Sequence, residues 1–148
     1  MRIVRYQIGA DAPRYGWVHE DQVGAIDGDP FGNYMRREAT MELSGVKLLA
    51  PVVPSKILCV GRNYVEHAKE LGNVVPKIPL IFMKPPSAVI GPGEAIILPH
   101  QSKQVEYEGE LVAVVGKRGR NITAEEAKQF ILGYTVGNDV TARDLQKS

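Results

Sequence analysis

Val105-Glu106-Tyr107-Glu108-Gly109-Glu110-Leu111-Val112-Ala113-Val114-Val115-Gly116 is the stretch whose reading decides the rest. Its second half is a β-run of Leu, Val and Ala closed by a glycine. Its first half carries a glutamate at every second position. Alternate residues of a strand point to one face, so Glu106, Glu108 and Glu110 are expected to share a face that Val112 and Val114 continue. That face runs from acidic to apolar. Like charges this close repel, and an unpaired carboxylate is costly to bury. A cation between two of them relieves both penalties. An all-carboxylate pair suits a hard dication, Mg²⁺ or Ca²⁺, better than zinc. The plainer alternative is an edge strand with a solvated acidic face.

Downstream, Arg118-Gly119-Arg120-Asn121 reads as a polar turn, and Thr123-Ala124-Glu125-Glu126 as a capping box opening a helix to about Leu132. Gly133–Val140 is predicted as a strand that delivers Asp139 at its far end, with a helix starting in Thr141-Ala142-Arg143-Asp144. Upstream, Ala95–Pro99 and Pro79–Pro86 read as strands, with a turn at Gly91-Pro92-Gly93-Glu94 between them. Arg62–Gly72 suits a short helix, with Asn63 as cap and Gly72 as stop. The apolar run Lys56–Gly61 is expected to be a strand buried on both faces, with Cys59 as plain core.

Residues 1–50 read as a small β-unit. Arg2–Ile8 alternates, with Val4, Tyr6 and Ile8 on one face. Tyr15–Val18 and Val23–Ile26 form a hairpin around His19–Gln22, and Asp27–Asn33 is turn material whose two aspartates fit no calcium loop. Lys47–Pro54 is expected to be a connector held open by prolines, which places a domain boundary near residue 50.

Composition narrows the function classes. A chain of 148 residues, 44% hydrophobic and 24% charged, suits a soluble globular protein with a real core. Eighteen basic and seventeen acidic residues leave +1, which gives no support for nucleic-acid or membrane binding. One cysteine excludes an internal disulfide and makes a reducing cytosol the default; no transmembrane run or signal peptide is visible.

Chemistry concentrates in a few residues. Glu108, Glu110 and Asp139 would make an open metal site, leaving positions of the coordination sphere for water or substrate. Such an ion can hold both oxygens of a 2-oxo carboxylate or β-dicarbonyl and stabilise an enolate. His67, three residues before Glu70 on the short helix, is a base with an orienting carboxylate; the same spacing also describes an ordinary surface ion pair. Arg143 is placed to clamp a carboxylate, with Gln146 three residues on; alternatively it is an exposed helix residue pairing with Asp139 or Asp144. Lys84, at a strand end, is a further candidate cation or a surface lysine.

Together these residues resemble the fumarylacetoacetate hydrolase family. The resemblance rests on Lys56–Tyr64 with His67 and Glu70, on Ile81-Phe82-Met83-Lys84-Pro85, on Tyr107-Glu108-Gly109-Glu110-Leu111, and on Gly137–Gln146. It covers residues 54–148, and residues 1–50 look like the small N-terminal β-unit of many bacterial members. It implies a β-rich α+β fold, a mixed β-sandwich roll, usually in a homodimer. It also implies Mg²⁺, Mn²⁺ or Ca²⁺ at Glu108, Glu110 and Asp139, a catalytic dyad at His67 and Glu70, and substrate contacts at Lys84, Arg143 and Gln146. Val60 stands where the founding hydrolase has a further acidic ligand, as in the smaller members with three carboxylates. Members hydrolyse fumarylacetoacetate or acylpyruvates, decarboxylate oxaloacetate, or isomerise and decarboxylate hydroxymuconate-type products of aromatic catabolism. Family chains run longer, so this sequence is expected to hold residues 51–148 of the catalytic roll without its remainder. A β-rich binding or assembly domain without catalysis, or an inactive fragment of such an enzyme, is the alternative.

Overall fold

A computed structural model of the chain describes residues 1–70, 72 and 74–146, with the side chain of His67 outside the described set. The chain divides into two compact units, Met1–Asp27 with Arg36–Glu94, and Gly28–Met35 with Ala95–Ser148.

In the first unit the alternation at the N-terminus becomes β1 (Arg2–Gln7), and the hairpin becomes β2 (Arg14–His19) and β3 (Gln22–Gly28). His19 pairs with Gln22 across a two-residue loop in which Glu20 takes a φ of 51°. With β4 (Tyr34–Glu42) and β5 (Lys47–Leu49) these strands form one sheet, ordered β4-β3-β2-β1-β5. The alternation of β1 places Val4 and Tyr6 on the core face. Tyr6, Val18 and Val23 are buried there, with Val4, Met41, Leu43, Val46 and Leu48 packed around them. Ile8 falls beyond the strand and is exposed. The opposite face carries Trp17. Its indole crosses Gly24, where a Cβ would lie 2.5 Å from Nε1, and donates to the Arg37 carbonyl at 2.8 Å. The Arg36 guanidinium sits 4.8 Å from the centre of the Trp17 ring.

The predicted connector is partly wrong. Lys47–Leu49 is a strand, antiparallel to β1 in the register Arg5↔Leu49. The prolines begin only at Pro51, so nothing prevents these three residues from joining the ladder.

β6 (Ile57–Gly61) pairs antiparallel with β7 (Leu80–Lys84). Between them lies α1 (Val65–Glu70), shorter than predicted. Gly72 comes next at φ 68° and donates its N–H to the Lys69 carbonyl, the expected glycine stop. Leu71 lies outside the described residues. The expectation that β6 is buried on both faces fails: Leu58 is 60% and Val60 44% exposed. A two-stranded ribbon leaves one face without a neighbour, and an apolar run alone does not supply one.

In the second unit Ala95–Pro99 is irregular rather than a strand among the described residues. The acidic stretch is two short strands, β8 (Val105–Glu106) and β9 (Gly109–Val115), broken at Tyr107–Glu108. β9 pairs with β10 (Ile131–Asn138), and β8 with β11 (Thr141–Ala142), both antiparallel. The capping box forms, with the Thr123 N–H donating to Glu126 Oε2 at 3.0 Å. The expected helix shrinks to a single 3₁₀ turn, Ala127–Phe130, because β10 claims Ile131 onward. α2 (Arg143–Gln146) begins two residues later than predicted, after β11.

Candidate functional site

The break at Tyr107–Glu108 builds the site. Opposite it, β10 ends at Asn138 and β11 begins at Thr141. The two breaks are bonded to each other: the Asp139 N–H donates to the Glu108 carbonyl at 2.8 Å, and the Glu108 N–H to Asn138 Oδ1 at 3.1 Å. Glu108 and Asp139 therefore sit side by side although 31 residues separate them in sequence. Glu110 lies two residues along, half-buried in β9 and opposite Gly137. Asp139 is half-buried, and its Oδ1 is shielded from solvent.

Arg143 fills the space between the acids. It is 5% exposed, the buried charge of this region. Its Nε donates to Glu106 Oε2 at 2.9 Å, its Nη2 to Glu108 Oε1, and its Nη1 to Gln146 Oε1 at 2.7 Å. The Arg143 backbone N–H is fixed to the Gln104 carbonyl at 2.7 Å, and the Gln104 amide donates to Glu106 Oε1 at 2.6 Å. The hydrogen bond donated to Glu108 raises the Arg143 guanidinium further above its ordinary value, against the opposing effect of burial. Arg143 is thus a permanent cation held by two carboxylates. The exposed-helix alternative for this residue is excluded, and its partners are Glu106 and Glu108 rather than Asp139 or Asp144.

Asp144 anchors the helix that carries Arg143. Its carboxylate accepts from Ser102 Oγ at 2.6 Å and from the Lys103 N–H at 2.8 Å. The Ser102 hydroxyl, then the Lys103 amide, hold the Asp144 carboxyl below its ordinary 3.8. A depressed carboxylate stabilises the fold fully above its unfolded value and loses that contribution as pH falls through the folded one. We therefore expect the acid limb of a thermal-melt pH series to become shallower below about pH 3.8 in Asp144→Asn, with the neutral-pH melt lowered. Parallel limbs for the two proteins would refute the anchor.

The site residues read from the sequence fall into two groups. Glu108, Glu110, Asp139, Arg143 and Gln146 lie in the second unit. Glu70 is exposed in α1, and Lys84 is half-buried at the end of β7 opposite Ile57; both lie in the first. His67 also falls in α1. Among the described residues no three His, Cys, Asp or Glu side chains are gathered so as to hold a metal ion. The donor chemistry nonetheless suits a hard divalent ion: carboxylate oxygens only, two of the three ligand candidates adjacent, and one oxygen shielded from water. Sequence reasoning assigns no role to Glu106, Gln104 or Asn138. For Glu106 the signal is present, because the alternation places it on the face of Glu108.

Comparison with known proteins decides the family. Residues 56–148 match the model described as fumarylacetoacetate (FAA) hydrolase C-terminal, and residues 1–51 match Rv2993c-like, N-terminal. The chain belongs to the fumarylacetoacetate hydrolase family. Its strand-rich architecture is the β-rich fold of that family. The 5-carboxymethyl-2-hydroxymuconate delta-isomerase of Mycobacterium smegmatis superposes with a TM-score of 0.85 at 39% identity, over 99% of this chain and 58% of the other. The maleylpyruvate hydrolase of Sphingobium sp. SYK-6, in complex with manganese(II) and pyruvate, superposes at 0.72 with 26% identity, over 97% and 60% of the two chains. Human oxaloacetate tautomerase FAHD2A, mitochondrial, is 49% identical over 104 residues, 70% of this chain and 33% of its own. The chain therefore spans well under two thirds of these relatives. No helix among the described residues is long and apolar enough to cross a membrane.

Proposed function

We propose that this fumarylacetoacetate hydrolase family chain carries the carboxylate half of a divalent-metal site acting on a small oxo acid or β-dicarbonyl acid. The reaction is C–C hydrolysis, decarboxylation or isomerisation. The observation that carries the reading is the adjacency of Glu108 and Asp139 across two aligned strand breaks, beside a buried arginine. Support comes also from relatives named as a tautomerase, an isomerase and a hydrolase, one of them holding manganese(II) and pyruvate.

Glu108, Glu110 and Asp139 would hold Mg²⁺, Mn²⁺ or Ca²⁺. Bound there, the ion supplies a Lewis acid that polarises the oxo group and carries enolate charge. In the hydrolytic version His67, oriented by Glu70, takes a proton from water, whose oxygen attacks the carbonyl carbon. The C–C bond breaks, and its electron pair leaves as an enolate that is protonated to the ketone. In isomerisation His67 or Glu70 moves a proton between carbon and oxygen. Lys84, Arg143 and Gln146 meet the substrate carboxylate. A cytoplasmic homodimer, with residues 1–50 as a separate β-unit ahead of residues 51–148, completes the reading.

The test is turnover of oxaloacetate and an acylpyruvate with and without Mg²⁺ or Mn²⁺. Activity is expected to vanish with chelator and to fall at least about 100-fold in Glu108→Ala, the scale of losing a group that stabilises the transition state. Survival in His67→Ala alongside loss in Glu108→Ala selects decarboxylation over hydrolysis. Metal-independent turnover overturns the metal reading, and no turnover of any oxo acid tried by a complete chain favours the non-catalytic binding domain.

A further inference from the structure

Resting on the reading that Arg143 meets the substrate carboxylate, we infer that Gln104 and Glu106 are positioning residues: they aim the Arg143 guanidinium and so set the affinity of the site for an oxo-acid anion. The pairing of β8 with β11 dictates the arrangement. Thr141 stands opposite Glu106 and Ala142 opposite Val105, so the next residue along, Arg143, falls opposite Gln104. Its N–H continues the ladder onto the Gln104 carbonyl at 2.7 Å. Residues two apart on a strand share a face, which puts Gln104 and Glu106 on the face that Arg143 uses.

The side chains then close a ring. Gln104 Nε2 donates to Glu106 Oε1 at 2.6 Å, and Glu106 Oε2 accepts from Arg143 Nε at 2.9 Å. Gln104 thus holds both ends of the arginine, the backbone directly and the guanidinium through Glu106. Nε is the nitrogen nearest the aliphatic stem, so a bond there fixes the rotation of the guanidinium plane. Gln146 Oε1 holds Nη1 at 2.7 Å. The brace is itself supported: the Gln104 N–H donates to Ser102 Oγ at 3.2 Å, and that hydroxyl donates to Asp144. Of the five guanidinium N–H groups, three are used among the described residues, on Glu106, Gln146 and Glu108. One on each terminal nitrogen is left for an incoming carboxylate oxygen. An unbraced arginine must lose its rotamer freedom when an anion binds, whereas a braced one has lost it already. Gln104 and Glu106 touch no substrate; they act through Arg143.

Two measurements on the 148-residue chain test this, neither needing turnover. In the first, nitrogen-15 NMR follows exchange of the Arg143 Nε–H with solvent. The exchange is expected to be slow in the wild type and several-fold faster in Gln104→Ala, a change at an exposed side chain that leaves the core intact. It should be faster still in Glu106→Ala and partly slowed again in Glu106→Gln, whose amide can keep both bonds if Gln104 flips. In the second, the affinity for pyruvate is measured calorimetrically with Mn²⁺ present throughout. Gln104→Ala is expected to bind pyruvate several-fold more weakly with its Mn²⁺ affinity unchanged. A purely structural role for Gln104 would lower the melting temperature and move neither readout. Pyruvate binding that is equal in Gln104→Ala and wild type, or Nε–H exchange that is equal in the two, overturns the positioning role and leaves the substrate role of Arg143 standing. No pyruvate binding by the wild type overturns that substrate role, and the inference with it.

Discussion

Tyr6→Ala is expected to destabilise the N-terminal sheet by about 3–5 kcal/mol, the range for removing a large buried ring. Tyr6 is 2% exposed, and with Val23 it is among the most fully buried large side chains of the protein. The core around it is small, three buried residues and a ring of half-buried ones, so there is little material to collapse into the cavity. Gly16 shows how tight the packing is: a Cβ built there would stand 2.8 Å from Tyr6 Cε1 and 3.0 Å from Val23 Cγ1. For a unit of this size the loss approaches the whole of its stability. Urea denaturation followed by circular dichroism should show the midpoint falling sharply in Tyr6→Ala. In Tyr6→Phe, which keeps the ring, the shift should be about 1 kcal/mol or less. Equal midpoints for Tyr6→Ala and wild type would mean that the sheet is not organised around this ring.

Arg143→Met should cost the protein about 3 kcal/mol. Most of that is not the lost attraction. It is the penalty of taking away the cation that bridges Glu106 and Glu108, with Glu108 only 19% exposed. Glu106 is 38% exposed and partly relieved by water, which keeps the figure at the low end of the range for buried pairs. The sign of the next step distinguishes this account from a simple contact deletion. Adding Glu108→Gln to Arg143→Met removes one of the two carboxylate charges that Arg143 bridges, so the double variant should be more stable than Arg143→Met alone. A contact-deletion account predicts further loss, and chemical denaturation of the three proteins separates the two.

Much of the N-terminal sheet is legible in the sequence because its signals are local. Alternation fixes which face Tyr6 belongs to, and a polar loop flanked by β-runs fixes the hairpin. Where the reading fails, the missing information is a partner. Ala95–Pro99 has the composition of a strand but pairs with no strand among the described residues, and Lys47–Leu49 looks like a linker yet finds β1 far upstream. The same holds at the site. The spacing of the acids implies a cation between two of them, and one is present as Arg143, supplied from 35 residues away. The break at Tyr107–Glu108 is invisible in a run that alternates without interruption. It arises where the chain passes from the β8–β11 pair to the β9–β10 pair.

Trp17 is the sole tryptophan of the chain, and it lies beneath the Arg36 guanidinium in the first unit. Intrinsic emission excited at the red edge therefore watches one sheet and no other. Its intensity should change when that sheet melts and Arg36 departs from the ring, which makes it a reporter of this sheet's own unfolding.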